Sequence, residues 1–184
     1  DLQKMLGRLL GEDIAVDLNL EESLWTVSAD AGNMDQVITN LCVNARDAMP
    51  AGGTLTVQTR NVEIDAGYCG RVPDARPGRF LCLSVSDTGV GMREDILERV
   101  FEPFFTTKNP GEGTGLGLSV VYGIAQAHDG WVTVQTELGK GTCVSLHLPA
   151  VDEEAEASPS YIPVSLSGFE GSEVLRRQVA QQLR

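Results

Sequence analysis

Positive charge is scarce in this sequence. Fourteen Lys and Arg stand against 26 Asp and Glu, a formal net charge of −12. A surface so short of cations has little with which to neutralise a nucleic-acid backbone. Extended contact with nucleic acid is thereby excluded, and any phosphate must be held locally, by backbone N–H groups or a metal ion. Long apolar runs are missing too, since none nears the roughly 20 residues of a membrane span. The residues given carry no pattern expected of a secretory leader. This part of the protein is expected to touch no membrane and to lie in the cytoplasm, as a piece of a longer chain whose anchor would lie elsewhere. The cysteines Cys42, Cys69, Cys82 and Cys143 form no C-x-x-C pair. Three sit in apolar runs, which reads as free, buried thiols in a reducing compartment. Histidine is limited to His128 and His147, and no internal repeat is found.

What is present is 42% hydrophobic over 184 residues, enough for one domain with a core and a tail. Leu2, Met5, Leu6, Leu9 and Leu10 recur at helical spacing, so residues 1–11 read as a connecting helix. The stretches 14–20 and 24–30 alternate and read as two strands of a hairpin. Asp30 is placed to cap a helix whose Met34, Val37, Ile38, Leu41, Ala45, Ala48 and Met49 form one apolar face. The run "PAGGT" ends it, and 55–64 alternates as a strand. A Gly-, Pro- and Arg-rich loop over 65–79 leads to the strand "FLCLSVSD", a glycine turn and a short helix in "REDILERV". A helix from near Leu116 to about His128 and the strands "WVTVQTEL" and "CVSLHLP" complete a unit spanning 12–149. From 150 to 184 an acidic, Pro- and Ser-containing linker and a tail follow. Hairpins and crossovers mix irregularly, which predicts a mixed sheet with helices on one face rather than a doubly wound parallel sheet.

Four stretches carry chemistry, each with two readings. In "GEGTGLGLS" glycines fall at every second position, Gly111 to Gly117, before a helix. They form either a surface loop or a bare backbone that lets an anion reach the helix N-terminus. A Walker loop is excluded because no Lys follows these glycines. Asn40 and Asn44 are one helical turn apart, with Gln36 and Asp47 on the same side. That line is either a solvated face or an amide-oxygen site for Mg²⁺, which prefers oxygen ligands. Asp87 ends an apolar strand before Gly89 and Gly91, as an ordinary turn or as an acceptor for an exocyclic amine beside a flat ring. Phe101, Phe104 and Phe105 cluster as core or as the packing surface of a movable lid.

Taken in order, Asn40-x-x-x-Asn44-Ala45, Asp87-x-Gly89-x-Gly91, "FEPFF" and "GTGLGL" resemble the N, G1, F and G2 boxes of bacterial sensor histidine kinases. "NLCVNARDAMPAGG" and "FEPFFTTKNPGEGTGLGLS" are most similar to the hybrid and nitrogen-regulation branch. The resemblance covers about 10 to 149. It implies the two-layer α/β sandwich (α+β, Bergerat) ATP-binding fold shared with DNA gyrase and MutL, with a mostly antiparallel mixed sheet. It also implies ATP and Mg²⁺ as cofactors. By the same resemblance Asn44 would hold Mg²⁺, with Asn40 on the phosphate side and Asp47 close by. Asp87 would accept from the adenine amine, with Thr142 nearby through water, while Ala48, Gly89 and Gly91 let the base pack closely. Phe105, Thr107 and Lys108 would border the nucleotide, and Lys108 either meets the terminal phosphate or is solvated. Gly113, Thr114, Gly115, Leu116, Gly117 and Leu118 would wrap the phosphates as a hinged lid.

Two departures stand out. The family often has Lys or Arg three residues after the second Asn, where this chain has Asp47. Arg46 next door points about 200° round the helix from Asn44 and is not expected to clamp phosphate. Neither histidine lies in the acceptor motif of the family, and both read as structural. The resemblance therefore implies a kinase catalytic domain that transfers the γ-phosphoryl group of Mg-ATP to a histidine on a separate dimerisation domain, with a response regulator downstream. The piece is expected to be monomeric and the whole protein a homodimer. The alternatives are a gyrase- or MutL-type ATPase and a non-catalytic nucleotide-binding module. Asn40 weighs against an ATPase, because an amide cannot take the proton of an attacking water.

Overall fold

The computed structural model describes residues 9–72, 74–109 and 113–151. In chain order the elements are β1 (Ile14–Leu20), α1 (Ala31–Ala48), β2 (Gly53–Ile64), α2 (Ala66–Cys69), β3 (Gly78–Asp87), α3 (Glu94–Leu97), α4 (Gly117–Ala127), β4 (Trp131–Glu137) and β5 (Gly141–Pro149). The five strands form one sheet in the order β1-β2-β3-β5-β4. Only β1 and β2 run parallel; the remaining pairs are antiparallel, so the sheet is mixed and mostly antiparallel, as expected. Except for Leu9–Gly11, Ala150 and Val151, the helix expected over 1–11 and the tail over 150–184 lie outside the described residues.

The expected hairpin between 14–20 and 24–30 is not formed. β1 lies along β2, from Ile14 opposite Gly53 to Leu20 opposite Thr59. Residues 24–30 make a single bridge, Val27 to Ala150. Their alternation reports burial rather than pairing: Leu24 and Val27 enter the core while the Trp25 N–H donates to Asn61 Oδ1 at 2.9 Å. The long strand β2 offers β1 a continuous edge, and that ladder satisfies more backbone groups than a short hairpin could. The loop expected over 65–79 also holds one helical turn, α2, whose Asp65 side chain accepts from the Tyr68 N–H at 2.7 Å.

α1 begins as its sequence dictates. The Asp30 side chain accepts from the Asn33 N–H at 2.8 Å, meeting one of the free donors of the first turn. It ends before Pro50, whose ring and missing N–H forbid another turn. Val37, Ile38, Leu41, Cys42 and Ala45 of α1 and Val121, Ile124 and Ala125 of α4 are buried. They pack against Leu55, Val57, Leu81, Leu83, Val85, Val144, Leu146 and Leu148 of the sheet. Leu41 is 2% exposed, and truncating such a side chain to Ala costs about 2–5 kcal/mol. The alternate residues of the strands point the other way, where Trp131 stacks on His147 at 4.7 Å and meets the edge of Phe80 at 4.5 Å.

His128 joins the two long helices. Its Nε2 accepts from the Asp30 N–H at 3.1 Å, which makes Nδ1 the donor to the Ile124 carbonyl at 2.8 Å. The ring of His128 is thus held by the fold at both nitrogens. All four cysteines are free, and burial pushes the Cys42 thiol up to about 12. Among the described residues no helix is long and apolar enough to cross a membrane.

Candidate nucleotide-binding site

The predicted residues gather at one end of the sheet, where β3 stops, β5 starts and both long helices arrive. Asp87 is the last residue of β3 and pairs in register with Thr142 near the start of β5. Its Oδ1 accepts from the N–H of Gly89 at 2.8 Å and of Thr142 at 3.3 Å. Burial raises the pKa of this carboxyl above the ordinary Asp value, and the two backbone donors only partly oppose that. Two donors on one oxygen fix the carboxylate plane, and among the described residues the second oxygen has no partner and is left to accept from a ligand. Thr142 meets Asp87 directly through its backbone, while its hydroxyl lies 3.0 Å from that of Thr136.

The glycine turn after Asp87 is pressed onto α1. The Val90 N–H donates to the Ala48 carbonyl at 2.9 Å, and a Cβ on Gly89 would stand 2.3 Å from that oxygen. Gly91 adopts φ +66, and a Cβ there would come within 2.1 Å of the Glu137 carbonyl. Both positions thus demand glycine, which lets the turn lie directly on the Ala48 and Glu137 carbonyls. Thr88 anchors the turn by accepting from the Thr54 N–H at 3.0 Å.

The start of α4 lies against α1 one helical turn before Ala48, at Asn44. Its first turn has no side-chain cap: Leu116 stands at the N-cap position with no side-chain bond of its own. N–H groups left without partners at a helix start are donors for an anion. Asn44 sits directly against that end, with its Oδ1 3.6 Å and its Nδ2 3.4 Å from where a Cβ of Gly117 would be. A larger residue at Gly117 would press on the amide. Thr114 Oγ1 accepts from the Leu116 N–H at 3.4 Å, and Leu118 packs on the core.

Gly115, before α4, packs on Phe104, one of three non-glycine residues with positive φ (+66) among those described. Gly115, at φ +65, lies so close that a Cβ would stand 2.4 Å from the Phe104 carbonyl carbon. Gly113 lies on Lys108, where a Cβ would stand 2.9 Å from Cδ. The Lys108 ammonium is ion-paired with Asp47 on α1. The cation absent from position 47 is thus brought to this corner by position 108.

Not every predicted residue points inward. The Phe105 ring is covered by the Arg99 guanidinium at 4.2 Å, and Thr107 is exposed. Phe101 meets Tyr122 at 5.3 Å between ring centres, a packing role. Conversely, sequence reasoning missed Thr136. Its hydroxyl accepts from the Met92 N–H at 2.9 Å and donates to the Gly141 carbonyl at 3.1 Å, tying the turn after β3 to the β4–β5 hairpin. Its signal was the pairing of Thr136 with Thr142 across "ELGKG", legible only once the hairpin register is known.

One end of the sheet thus brings together a buried carboxylate, a glycine turn and an uncapped helix start, the groups that the resemblance assigns to a nucleotide site. Residues 29–152 match the family of histidine kinase-, DNA gyrase B-, and HSP90-like ATPases, and the chain belongs to that family. Over 157 residues it is 46% identical to the sensor kinase CckA of Brucella abortus, covering 85% of this chain and 17% of that protein. It is 33% identical over 144 residues to the sensor histidine kinase ZraS of Salmonella typhi, covering 78% of this chain and 28% of that one. The chain therefore spans less than a third of these relatives. Among solved structures, the mycobacterial sensor histidine kinase MprB superposes with a TM-score of 0.62 at 26% identity, covering 80% of this chain and 90% of that one. Full-length ShkA in complex with AMPPNP superposes with a TM-score of 0.59 at 28% identity, covering 82% and 30% respectively. Within the family the chain is thus a catalytic ATP-binding domain of the sensor-kinase type.

Proposed function

We propose that this domain binds Mg-ATP and passes its γ-phosphoryl group to a histidine on a separate dimerisation domain of the same protein, with a response regulator as the later acceptor. The observation that carries the reading is the opposition of Asp87, with one carboxylate oxygen free, to the uncapped start of α4 lying on Asn44. Asp87 would accept from the adenine amine, with Gly89, Gly91 and Ala48 beside the ring. Gly113 to Leu118 would border the phosphates, with the uncapped N–H groups at the start of α4 as their donors.

The donor set suits Mg²⁺. Among the described residues no cluster of three or more His, Cys, Asp or Glu could hold a metal. An ion that arrives on the nucleotide needs little more than one neutral oxygen, because it keeps its phosphate and water ligands. Asn44, with Asn40 one turn earlier, supplies such an oxygen beside the anion-facing helix end. Bound there, Mg²⁺ neutralises phosphate charge; the chain's own residues orient the nucleotide and hold it. Phosphoryl transfer asks chiefly for such positioning and neutralisation.

The acceptor is not on this domain's described part, since His128 is bonded at both ring nitrogens and His147 is buried. The test is to incubate the domain with γ-labelled ATP, Mg²⁺ and a histidine-bearing dimerisation domain from a sensor-kinase relative. Acid-labile, alkali-stable label on the dimerisation domain is expected. Steady phosphate release without that label would favour the ATPase alternative and overturn the kinase reading.

A further inference from the structure

Asp47 carries a charge that the proposed chemistry does not use. It lies one helical turn beyond Asn44, on the side of α1 that meets the phosphate end of the site. Its two oxygens have separate partners. Oδ1 accepts from Arg46 twice, from Nε at 2.9 Å and from a terminal guanidinium nitrogen at 2.8 Å. Oδ2 is taken, among the described residues, by the Lys108 ammonium alone. Arg46 is itself held by a third bond, from its other terminal nitrogen to the Leu9 carbonyl at 3.1 Å. The Lys108 stem runs beneath Gly113, so the ammonium is delivered to Asp47 across the phosphate-facing segment. Burial alone would raise the Asp47 carboxyl, but the bonds and charges of Lys108 and Arg46 outweigh it and hold the group below the ordinary Asp range.

We propose that Asp47 is a positioning residue, a resident counter-anion that parks Lys108 at the phosphate end of the site and yields it to the terminal phosphate of an incoming nucleotide. The inference rests on the nucleotide reading above. Three features of the geometry support exchange rather than a permanent bridge. A terminal phosphate carries more negative charge than one carboxylate, so it is the stronger partner for an ammonium. The pair is partly open to water, with 31% and 24% of the two side chains exposed, so breaking it is inexpensive. Because Arg46 binds the other oxygen, the departure of Lys108 leaves Asp47 still neutralised. Lys108 is thus kept extended toward the site instead of free in solvent, at the cost of a competing charge.

The test is calorimetric titration of ATP and of adenosine into the parent domain, D47N, K108A and the double variant, with thermal melts to verify folding. D47N should bind ATP about two- to fivefold more tightly than the parent, the scale of a partly exposed ion pair, and bind adenosine unchanged. In the K108A background the same change should give little or no tightening, and D47E should return ATP affinity to the parent level. Equal tightening with and without Lys108 would overturn the exchange, making Asp47 only a nearby repulsive charge. Weakened or unchanged ATP binding in D47N would overturn it too. If the parent binds adenosine but gains nothing from the phosphates, the exchange falls while the adenine site stands. If the parent binds neither, the nucleotide reading falls and the proposal with it.

Discussion

Gly141 lies against the backbone of Asp87 so closely that a Cβ would stand 1.9 Å from the Asp87 carbonyl oxygen, at a φ of +111. Gly139, two residues earlier in the same hairpin turn, has φ +78 but nothing within 4 Å of where a Cβ would be. The two glycines separate backbone strain from steric exclusion. Gly139→Ala should cost about 1–2 kcal/mol from the left-handed conformation alone and leave nucleotide affinity unchanged. Gly141→Ala adds a clash with a strand end and should cost about 3 kcal/mol or more. It should also weaken ATP binding among molecules that remain folded, because the displaced atom belongs to Asp87. Urea melts and ATP titration of both variants check this; equal behaviour would show that the approach to Asp87 is slack.

Asp87 supports a prediction about affinity and pH. Its carboxyl must be ionised to accept from an exocyclic amine with full strength, and burial raises its pKa above the ordinary value. Protonation therefore begins to erode binding at a higher pH than for an exposed Asp. ATP affinity should fall on acidification before the ordinary carboxylate range is reached. Asp87→Asn should cost about ten- to a hundredfold in affinity at neutral pH. It should also remove this group's share of the acid-side decline. An affinity that is flat with pH in the parent, or unchanged in the variant, would count against the adenine role.

How much of this was legible in the sequence follows from which forces are local. The Asp30 cap, the apolar face of α1 and the stop at Pro50 depend on neighbours within a few residues, and each is found where the pattern puts it. The glycine positions were legible for a similar reason, since Gly89, Gly91 and Gly115 lie where a Cβ would meet backbone. The partner of β1 was not legible. Alternation in 24–30 marks a buried side, and the choice between a hairpin and the edge of β2 depends on a contact that spans α1. The same limit hid the Lys108–Asp47 pair, whose members stand 61 positions apart. Nor did the box around Phe105 foretell that the Arg99 guanidinium would lie over the ring.

His147 makes fold stability depend on acid. Burial, with the charge of Arg60 second, lowers its pKa from 6.5 to about 4 despite backbone hydrogen bonds that favour the charged form. In the native state the ring stays neutral against Trp131, whereas an unfolded chain takes up a proton near 6.5. The stabilisation is fully present above about pH 6.5 and is lost as pH falls toward about 4, on the order of 3 kcal/mol in all. His147→Phe, which keeps a ring beside Trp131, should flatten the denaturant midpoint across that window. A midpoint with the same slope in both proteins would assign the acid sensitivity elsewhere.

Asn44 offers the sharpest division between metal and base. Its amide lies on the start of α4 and has no part in the Asp87 network, so removing it should spare the adenine end. Asn44→Ala should leave adenosine affinity within about twofold of the parent, since the two ends share no partners. The gain in ATP affinity on adding Mg²⁺ should be largely lost, because the oxygen that favours the ion over solvent is gone. Asn44→Gln retains an amide but moves it one methylene further toward Gly117, where the space is already tight. It should therefore restore the metal dependence only in part. Titrations of ATP and adenosine with and without Mg²⁺ separate these terms. If Asn44→Ala weakened adenosine and ATP alike, Asn44 would serve to support the pocket and the metal would have to be held by other groups.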